Sequence, residues 1–225
     1  MTDADRYIDS LELMGMEFGL ERMRALLARL GDPQRRFDAI HVVGTNGKSS
    51  TVRFCEALLL AAGVSTGAYL SPHLRSFRER IRVAGRELDG EAYERALDAV
   101  QAAAPAGVTQ FEALTAAALV AFAAAGVEWA VIEAGLGGRL DATNVLTRSR
   151  VQVLTNVDLE HTALLGATRE AIAREKLAVV PRGGVVIAGE PGWERLAGAV
   201  SSWRVVVAPG GYQDQNRAVA VAAVE

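Results

Sequence analysis

A single cysteine, Cys55, in 225 residues rules out an internal disulfide and suits a reducing compartment. Its place in a helical pattern reads as buried filler rather than a nucleophile. There is no excess of positive charge. The formal net charge is −3 at pH 7, so neither nucleic acid nor an anionic membrane is expected as a partner. No apolar run approaches the roughly 20 residues that span a bilayer; "AALVAFAAAG" is too short. The N-terminal stretch is acidic and interrupted by charges, unlike a signal peptide. No repeat, linker or low-complexity segment stands out. These absences leave an ordinary soluble globular chain, expected in the cytoplasm and long enough for one large domain.

What is present is a change of pattern. Two short helices are expected around Gly15 to Gly19, with Leu20, Met23, Leu26, Leu27 and Leu30 at helical spacing before Gly31. From Asp38 onward, short apolar runs alternate with helical segments. The predicted strands are Ala39–Val43, Thr66–Leu70, Trp129–Ala134, Val151–Asn156, Val185–Ala188 and Arg204–Val207. The predicted helices are Ser50–Ala62, Gly90–Ala104, Glu112–Ala125 and Thr168–Val179. This alternation predicts an α/β fold, a mostly parallel sheet with helices on both faces. "ERIRVAGREL" reads instead as a hairpin or loop excursion, and "YQDQNRAVAVAAVE" as a final helix with an apolar face.

The strand-to-helix junction "IHVVGTNGKSSTVRF" carries the strongest chemical signal. Small residues let consecutive backbone N–H groups approach a phosphate, and the following helix offers its positive end. Gly44 and Gly47 are the small residues, with Thr45 and Asn46 between them; Lys48 supplies a mobile charge, and Ser49 or Ser50 the hydroxyl for a cation. The common P-loop pattern would place glycine at position 42, where Val42 stands.

Further candidates follow the carboxyl ends of other strands, where ligands bind in open parallel sheets. Ser71 and His73 follow the second, Glu133 and Gly135, Gly137 and Gly138 the third, and Asp158, Glu160 and His161 the fourth. Oxygens from Ser71, Glu133 and a phosphate would suit Mg²⁺, with His161 a less usual nitrogen ligand. Plainer readings stand beside these. Glu133 could pair with Arg139, His73 could cap the next turn, and His161 could be a surface histidine.

Taken together, "FGLERMRALLARLGDPQ", "IHVVGTNGKSST", "YLSPHLRSFRERIRV", "TQFEALTAAAL", "GLGGRLDATNV", "LTNVDLEHTALLG" and "IAREKLAVV" resemble the N-terminal, ATP-binding domain of the folylpolyglutamate synthase/dihydrofolate synthase family, a branch of the Mur ligase superfamily. The likeness runs from about Tyr7 to about Gly189. It implies a P-loop NTPase-like Mur ligase central domain over residues 1–225, with residues 1–36 as a helical segment packed on it. It also implies ATP phosphates on Gly44 to Ser50, and Mg²⁺ on Ser71 and Glu133, with a second ion on Glu133 and His161. Lys48 and His161 would be catalytic. So would Lys176, which matches the family lysine that can carry a carbamate, although "REAIAREK" alone reads as an ordinary charged helix. Phe111, Asp141, Ala142 and Asn144 would border the folate or pterin pocket. Asn216, with Gln213, would lie near the nucleotide.

The implied reaction is ADP-forming ligation of L-glutamate to folate or dihydropteroate through an acyl phosphate, by a monomer. Family members have a C-terminal domain that completes this site; it is absent from these residues and could reside on another chain. The alternatives are a nucleotide-binding module without turnover and a ligase for a cell-wall precursor. Several positions depart from the family pattern: Ser49 replaces glycine, Ala134 valine, Glu160 aspartate, and Leu177 and Ala178 smaller residues. Tyr212 and Arg217 replace histidine and alanine.

Overall fold

The computed structural model describes residues 2–11 and 19–225. Helix α1 (Asp3–Leu11) and helix α2 (Glu21–Arg29) lie on either side of residues 12–18, so most of the stretch expected to hold two helices around Gly15 to Gly19 falls outside the described residues. The strands are β1 (Asp38–Val43), β2 (Thr66–Tyr69), β3 (Ile81–Val83), β4 (Arg86–Glu87), β5 (Trp129–Glu133), β6 (Ser149–Leu154), β7 (Val185–Ala188) and β8 (Ser202–Val205). They form one sheet in the order β4-β3-β2-β5-β1-β6-β7-β8. Strands β2, β5, β1, β6, β7 and β8 are mutually parallel, whereas β3 and β4 are antiparallel additions at one edge.

All six predicted strands are present with small shifts at their ends. The largest shifts, two residues toward the N-terminus, are in β6, expected to run from Val151 to Asn156, and in β8, expected to run from Arg204 to Val207. Parallel pairing of Val185 with Ser202 through Ala188 with Val205 draws β8 toward the N-terminus. The "AG" in "ERIRVAGREL" turns the β3–β4 hairpin, with Ala84 and Gly85 both in the left-handed region at φ 49° and 77°.

Alternation along the strands assigns side chains to two faces. Val131 of β5 joins Ile40, Val42 and Val153 beneath α3 (Lys48–Ala61) and α8 (Tyr212–Val224). Its neighbours Ala130 and Ile132 point the other way, toward α4 (Gly90–Ala103) and α5 (Gln110–Ala124). Ile8 of α1 and Met23, Leu26 and Leu27 of α2 are fully buried in that same cluster, with Phe37 and Tyr93. Helix α5 comes so close to β2 that a Cβ on Gly67 would sit 2.6 Å from the Phe122 ring. At the other end of this face, beyond the short α6 (Thr162–Leu165), α7 (Arg169–Leu177) covers Val43 and Leu154. Among the described residues, no helix is long and apolar enough to cross a membrane.

This layering places β1 in the middle of the sheet, between β5 and β6. The loop leaving β1 therefore has a strand end on each side and the first turn of α3 in front.

Candidate functional site

The segment from Gly44 to Gly47 crosses from β1 to α3 in a backbone path that requires glycine at both ends. Gly44 has φ 148° and Gly47 φ 79°; a Cβ at the first would overlap Thr155 Oγ1, and at the second Asn216 Oδ1. The loop is pinned from behind. Thr45 N donates to the carbonyl of Asn156 at 2.9 Å, Asn46 N to Asn156 Oδ1 at 2.8 Å, and Thr155 Oγ1 to the carbonyl of Asn46 at 2.7 Å. Lys48 Nζ folds back to donate to the carbonyls of Gly44 and Thr45, at 2.9 and 3.1 Å. The first turn of α3 leaves backbone N–H groups without helical partners, and a lysine stands over the loop. That combination can hold a polyphosphate.

Beside this loop, β5 ends on Glu133, which is 1% exposed. One carboxylate oxygen accepts from Ser49 Oγ at 3.0 Å and the other from Ser71 N at 3.2 Å. The alternative pairing with Arg139 does not form, because Arg139 Nε binds Glu175 at 3.0 Å. Burial pushes the Glu133 carboxyl up to about 7, against the opposing pull of the Ser71 N–H, the Ser49 hydroxyl, Lys48 and Arg80. Among the described residues this buried carboxylate has neutral donors and no ion-pair partner, the chemistry that a hard divalent cation satisfies. The residues thus fit a cation next to the phosphate loop, with Glu133 as anionic ligand and the Ser71 hydroxyl close by in sequence to the N–H that already reaches it. Among the described residues, no group of three or more His, Cys, Asp or Glu side chains is arranged to hold a metal alone. A cation here would depend on oxygens from the nucleotide.

Lys176 lies in a charged helix and is nonetheless 1% exposed. It shares α7's buried stripe with Ile172, Ala173 and Leu177. Its Nζ donates to the carbonyl of Gly44 at 2.8 Å and to Glu160 Oε1 at 2.5 Å. The Gly44 carbonyl thus accepts from both Lys48 and Lys176. Burial lowers the proton affinity of Lys176, and Glu160 opposes that shift. His161, next to Glu160, is exposed at φ 43°, and among the described residues its side chain has no hydrogen bond. The structure brings Lys48, Ser49, Ser71, Glu133 and Lys176 around one loop. His161 stands at its margin.

The glycine-rich turn after β5 packs tightly against two other elements. A Cβ on Gly138 would lie 2.6 Å from the Lys176 carbonyl, and one on Gly135 would lie 2.5 Å from the Phe111 ring. Phe111 in turn lies 6.1 Å from Tyr69, centroid to centroid. Asp141 closes the turn from inside, accepting from Leu136 N at 2.7 Å, Thr143 N at 2.9 Å and Thr143 Oγ1 at 2.5 Å. Ala142 is buried beside it, and Asn144 Nδ2 donates to the Arg139 carbonyl at 2.9 Å. Phe111 and Asp141–Asn144 therefore meet the same turn, where Phe111 is half-buried and the Asp141 oxygens already have partners. Asn216 touches the loop from α8, and Gln213 is exposed one turn earlier.

Some contributors were not singled out by sequence pattern. Thr155 and Asn156 support the loop from the end of β6. Arg80, 9% exposed, donates from Nε to His73 Nδ1 at 2.9 Å and stacks over Phe77, so His73 belongs to that cluster. Gln215 joins Gly189 and Val206 by donating to both carbonyls, at 3.0 and 2.6 Å. The "LTN" at a strand end was the one visible signal for the first pair.

Residues 42–188 match the model of the Mur ligase middle domain. The chain is 40% identical over 186 residues to the dihydrofolate synthase/folylpolyglutamate synthase of Escherichia coli strain K12, covering 82% of this chain and 44% of that protein. It is similar to a solved E. coli FolC in complex with DHPP and ADP, with a TM-score of 0.89 and 32% identity over 99% of this chain and 62% of the other. A second solved structure is a bifunctional folylpolyglutamate synthase/dihydrofolate synthase with Mn, AMPPNP and L-glutamate bound. It matches with a TM-score of 0.88 and 32% identity, covering all of this chain and 62% of that one. The chain spans less than half the length of the E. coli relative.

Proposed function

The chain belongs to the Mur ligase middle-domain family, in its folylpolyglutamate synthase/dihydrofolate synthase branch, and from that premise we propose that it is the ATP-binding part of a ligase that joins L-glutamate to a folate or dihydropteroate carboxylate. The observation that supports this most strongly is the juxtaposition of the Gly44–Ser50 loop, Lys48 and a buried Glu133 that has no ion-pair partner among the described residues.

In this reading the ATP phosphates lie on the loop N–H groups, with Lys48 turning from the loop carbonyls to the outer phosphates and Asn216 facing the nucleotide from α8. An oxygen of the acceptor carboxylate attacks the γ-phosphorus, and ADP leaves. The amine of L-glutamate then attacks the acyl carbon, phosphate departs with the bonding electrons, and the amine loses its proton. Loop N–H groups and Lys48 act by position and charge. Ser71 and Glu133, with His161 from the margin, would hold Mg²⁺, which supplies charge neutralisation on the phosphates. Phe111 and Asp141–Asn144 would border the acceptor, with the half-buried ring offering an apolar wall.

Lys176 carries the finer part of the proposal. Burial favours its neutral amine, which adds CO₂ with loss of a proton to give a carbamate. That anion would displace the present pairing with Glu160 and would require a cation between the two. Labelled bicarbonate and ¹³C NMR would test this step; no carbamate resonance removed by Lys176→Ala would end it.

The test of the whole reading is ADP release by the purified chain with Mg²⁺, ATP, L-glutamate and either dihydropteroate or tetrahydrofolate. Acceptor-dependent release that is lost in Lys48→Ala supports the ligase reading and names the acceptor. Nucleotide binding lost in Lys48→Ala, without ADP release, supports a nucleotide-binding unit that works with a glutamate-ligase domain on other residues. No nucleotide binding overturns both.

A further inference from the structure

Ser49 is the second residue of α3, immediately after Lys48, and is exposed at the mouth of the site. A phosphate loop does not need a side chain here, since the backbone N–H does the work and the resembled loops carry glycine. Yet the Ser49 hydroxyl does not turn outward. It donates to Glu133 Oε1 at 3.0 Å, while the other carboxylate oxygen accepts from Ser71 N at 3.2 Å. The carboxylate is therefore held at both oxygens by donors from two separate elements, the first turn of α3 and the loop after β2.

Both donors are neutral. They fix the plane of the carboxylate without cancelling its charge, whereas a guanidinium or ammonium in their place would do both. Each oxygen also keeps a lone pair free. The same helix turn that carries Ser49 carries the phosphate-binding N–H groups. A shift of this turn on nucleotide binding would be transmitted directly to Glu133.

We propose that Ser49 is a positioning residue that holds Glu133 for a hard divalent cation and couples the cation seat to the nucleotide seat through the first turn of α3. The proposal rests on the nucleotide-and-cation reading given above. It assigns the Ser49 hydroxyl to the cation ligand rather than to the phosphates. Because coupling between sites is reciprocal, the hydroxyl that helps a cation bind also helps a nucleotide bind once the cation is present.

Mn²⁺ is the probe, measured by electron paramagnetic resonance titration on the full chain, with and without a non-hydrolysable ATP analogue. Wild type is expected to bind Mn²⁺ more tightly with the analogue present. Ser49→Ala is expected to weaken Mn²⁺ roughly tenfold, the size seen for partners that orient metal ligands, and to reduce the enhancement given by the analogue. Ser49→Thr keeps the hydroxyl and is expected to stay within about twofold, since the donor is conserved. Thermal melts of both variants verify that the fold is retained.

Two results would overturn the proposal while leaving the site reading intact. In one, Ser49→Ala matches wild type with and without the analogue; in the other, Ser49→Thr falls as far as Ser49→Ala. Wild type binding neither Mn²⁺ nor the analogue overturns the site reading and this inference together.

Discussion

Three buried glutamates, Glu56 on α3, Glu112 on α5 and Glu133 at the end of β5, show how the same residue type serves stability in one place and chemistry in another. Glu56, 3% exposed, receives Arg82 Nε on both oxygens, at 3.1 and 2.9 Å, and this pair fastens the β3–β4 hairpin to the helix. Glu112, also 3% exposed, has Arg22 at 3.2 Å and caps its own helix through Thr109 N at 2.8 Å. Glu133 is more buried than either and, among the described residues, has no ion pair. Two carboxylates have their countercharge built into the fold. The third faces the phosphate loop with only a hydroxyl and a backbone N–H on its oxygens, and that difference marks the site.

Removing the Glu133 charge should give the largest effect on ligands and little on the fold. Glu133→Gln is expected to lower turnover by roughly 100- to 1,000-fold and to abolish the nucleotide-enhanced binding of Mn²⁺. Its melting temperature should not fall, because a costly buried charge disappears. A large drop in melting temperature would make Glu133 a structural residue like Glu56.

The converse substitution addresses the other side. Glu56→Ala leaves Arg82 without its partner in a site where that side chain is 12% exposed, and should cost about 4 kcal/mol in denaturant unfolding. Its nucleotide affinity, measured on the folded fraction, should stay near wild type. Equal losses of affinity in both variants would erase the distinction.

His41 extends the comparison to a buried base kept neutral. It is 1% exposed and shares a 2.8 Å hydrogen bond with Thr143 Oγ1, and burial lowers it to about 4. The native state then binds fewer protons than the unfolded chain between pH 4 and about 6.5. Stability is complete above that window and declines as pH falls through it, by up to about 3 kcal/mol. Unfolding curves at several pH values should show this slope, and His41→Gln should flatten it.

The smallest effect belongs to the capping box that Thr109 shares with Glu112. Thr109→Ala removes the hydroxyl that accepts from Glu112 N at 3.2 Å and should cost about 1 kcal/mol. Turnover should not change.

Where the sequence was legible, the chemistry was local. Gly44, Gly47 and Lys48 are adjacent in the chain, and Glu133 ends an apolar run, so loop and strand end could be read directly. Lys176 could not. A lysine within a buried helical stripe looks like a solvated one when its partners, Gly44 and Glu160, lie far away or across a turn. The Arg139 alternative was reasonable on spacing, yet the turn that Asp141 ties together carries Arg139 toward Glu175. The start of α5 at Gln110, two residues before the expected Glu112, follows from the Thr109–Glu112 capping box, a signal present in "TQFE". Strands β6 and β8 both begin two residues before the expected start, because pairing with a neighbour, Ser149 with Ala39 and Ser202 with Val185, sets their ends rather than apolar character.

The central position of β1 also has a consequence in time. Asp38 pairs with Trp129 on one side, and Ile40 pairs with Val151 on the other. During synthesis, both edges of this strand wait for residues made much later, and at roughly 5–20 residues per second that interval is on the order of ten seconds. Asn216 arrives later still to meet Gly47. A nascent chain would therefore display its phosphate loop long before it could use it, leaving an apolar strand with two open edges to be shielded in the meantime.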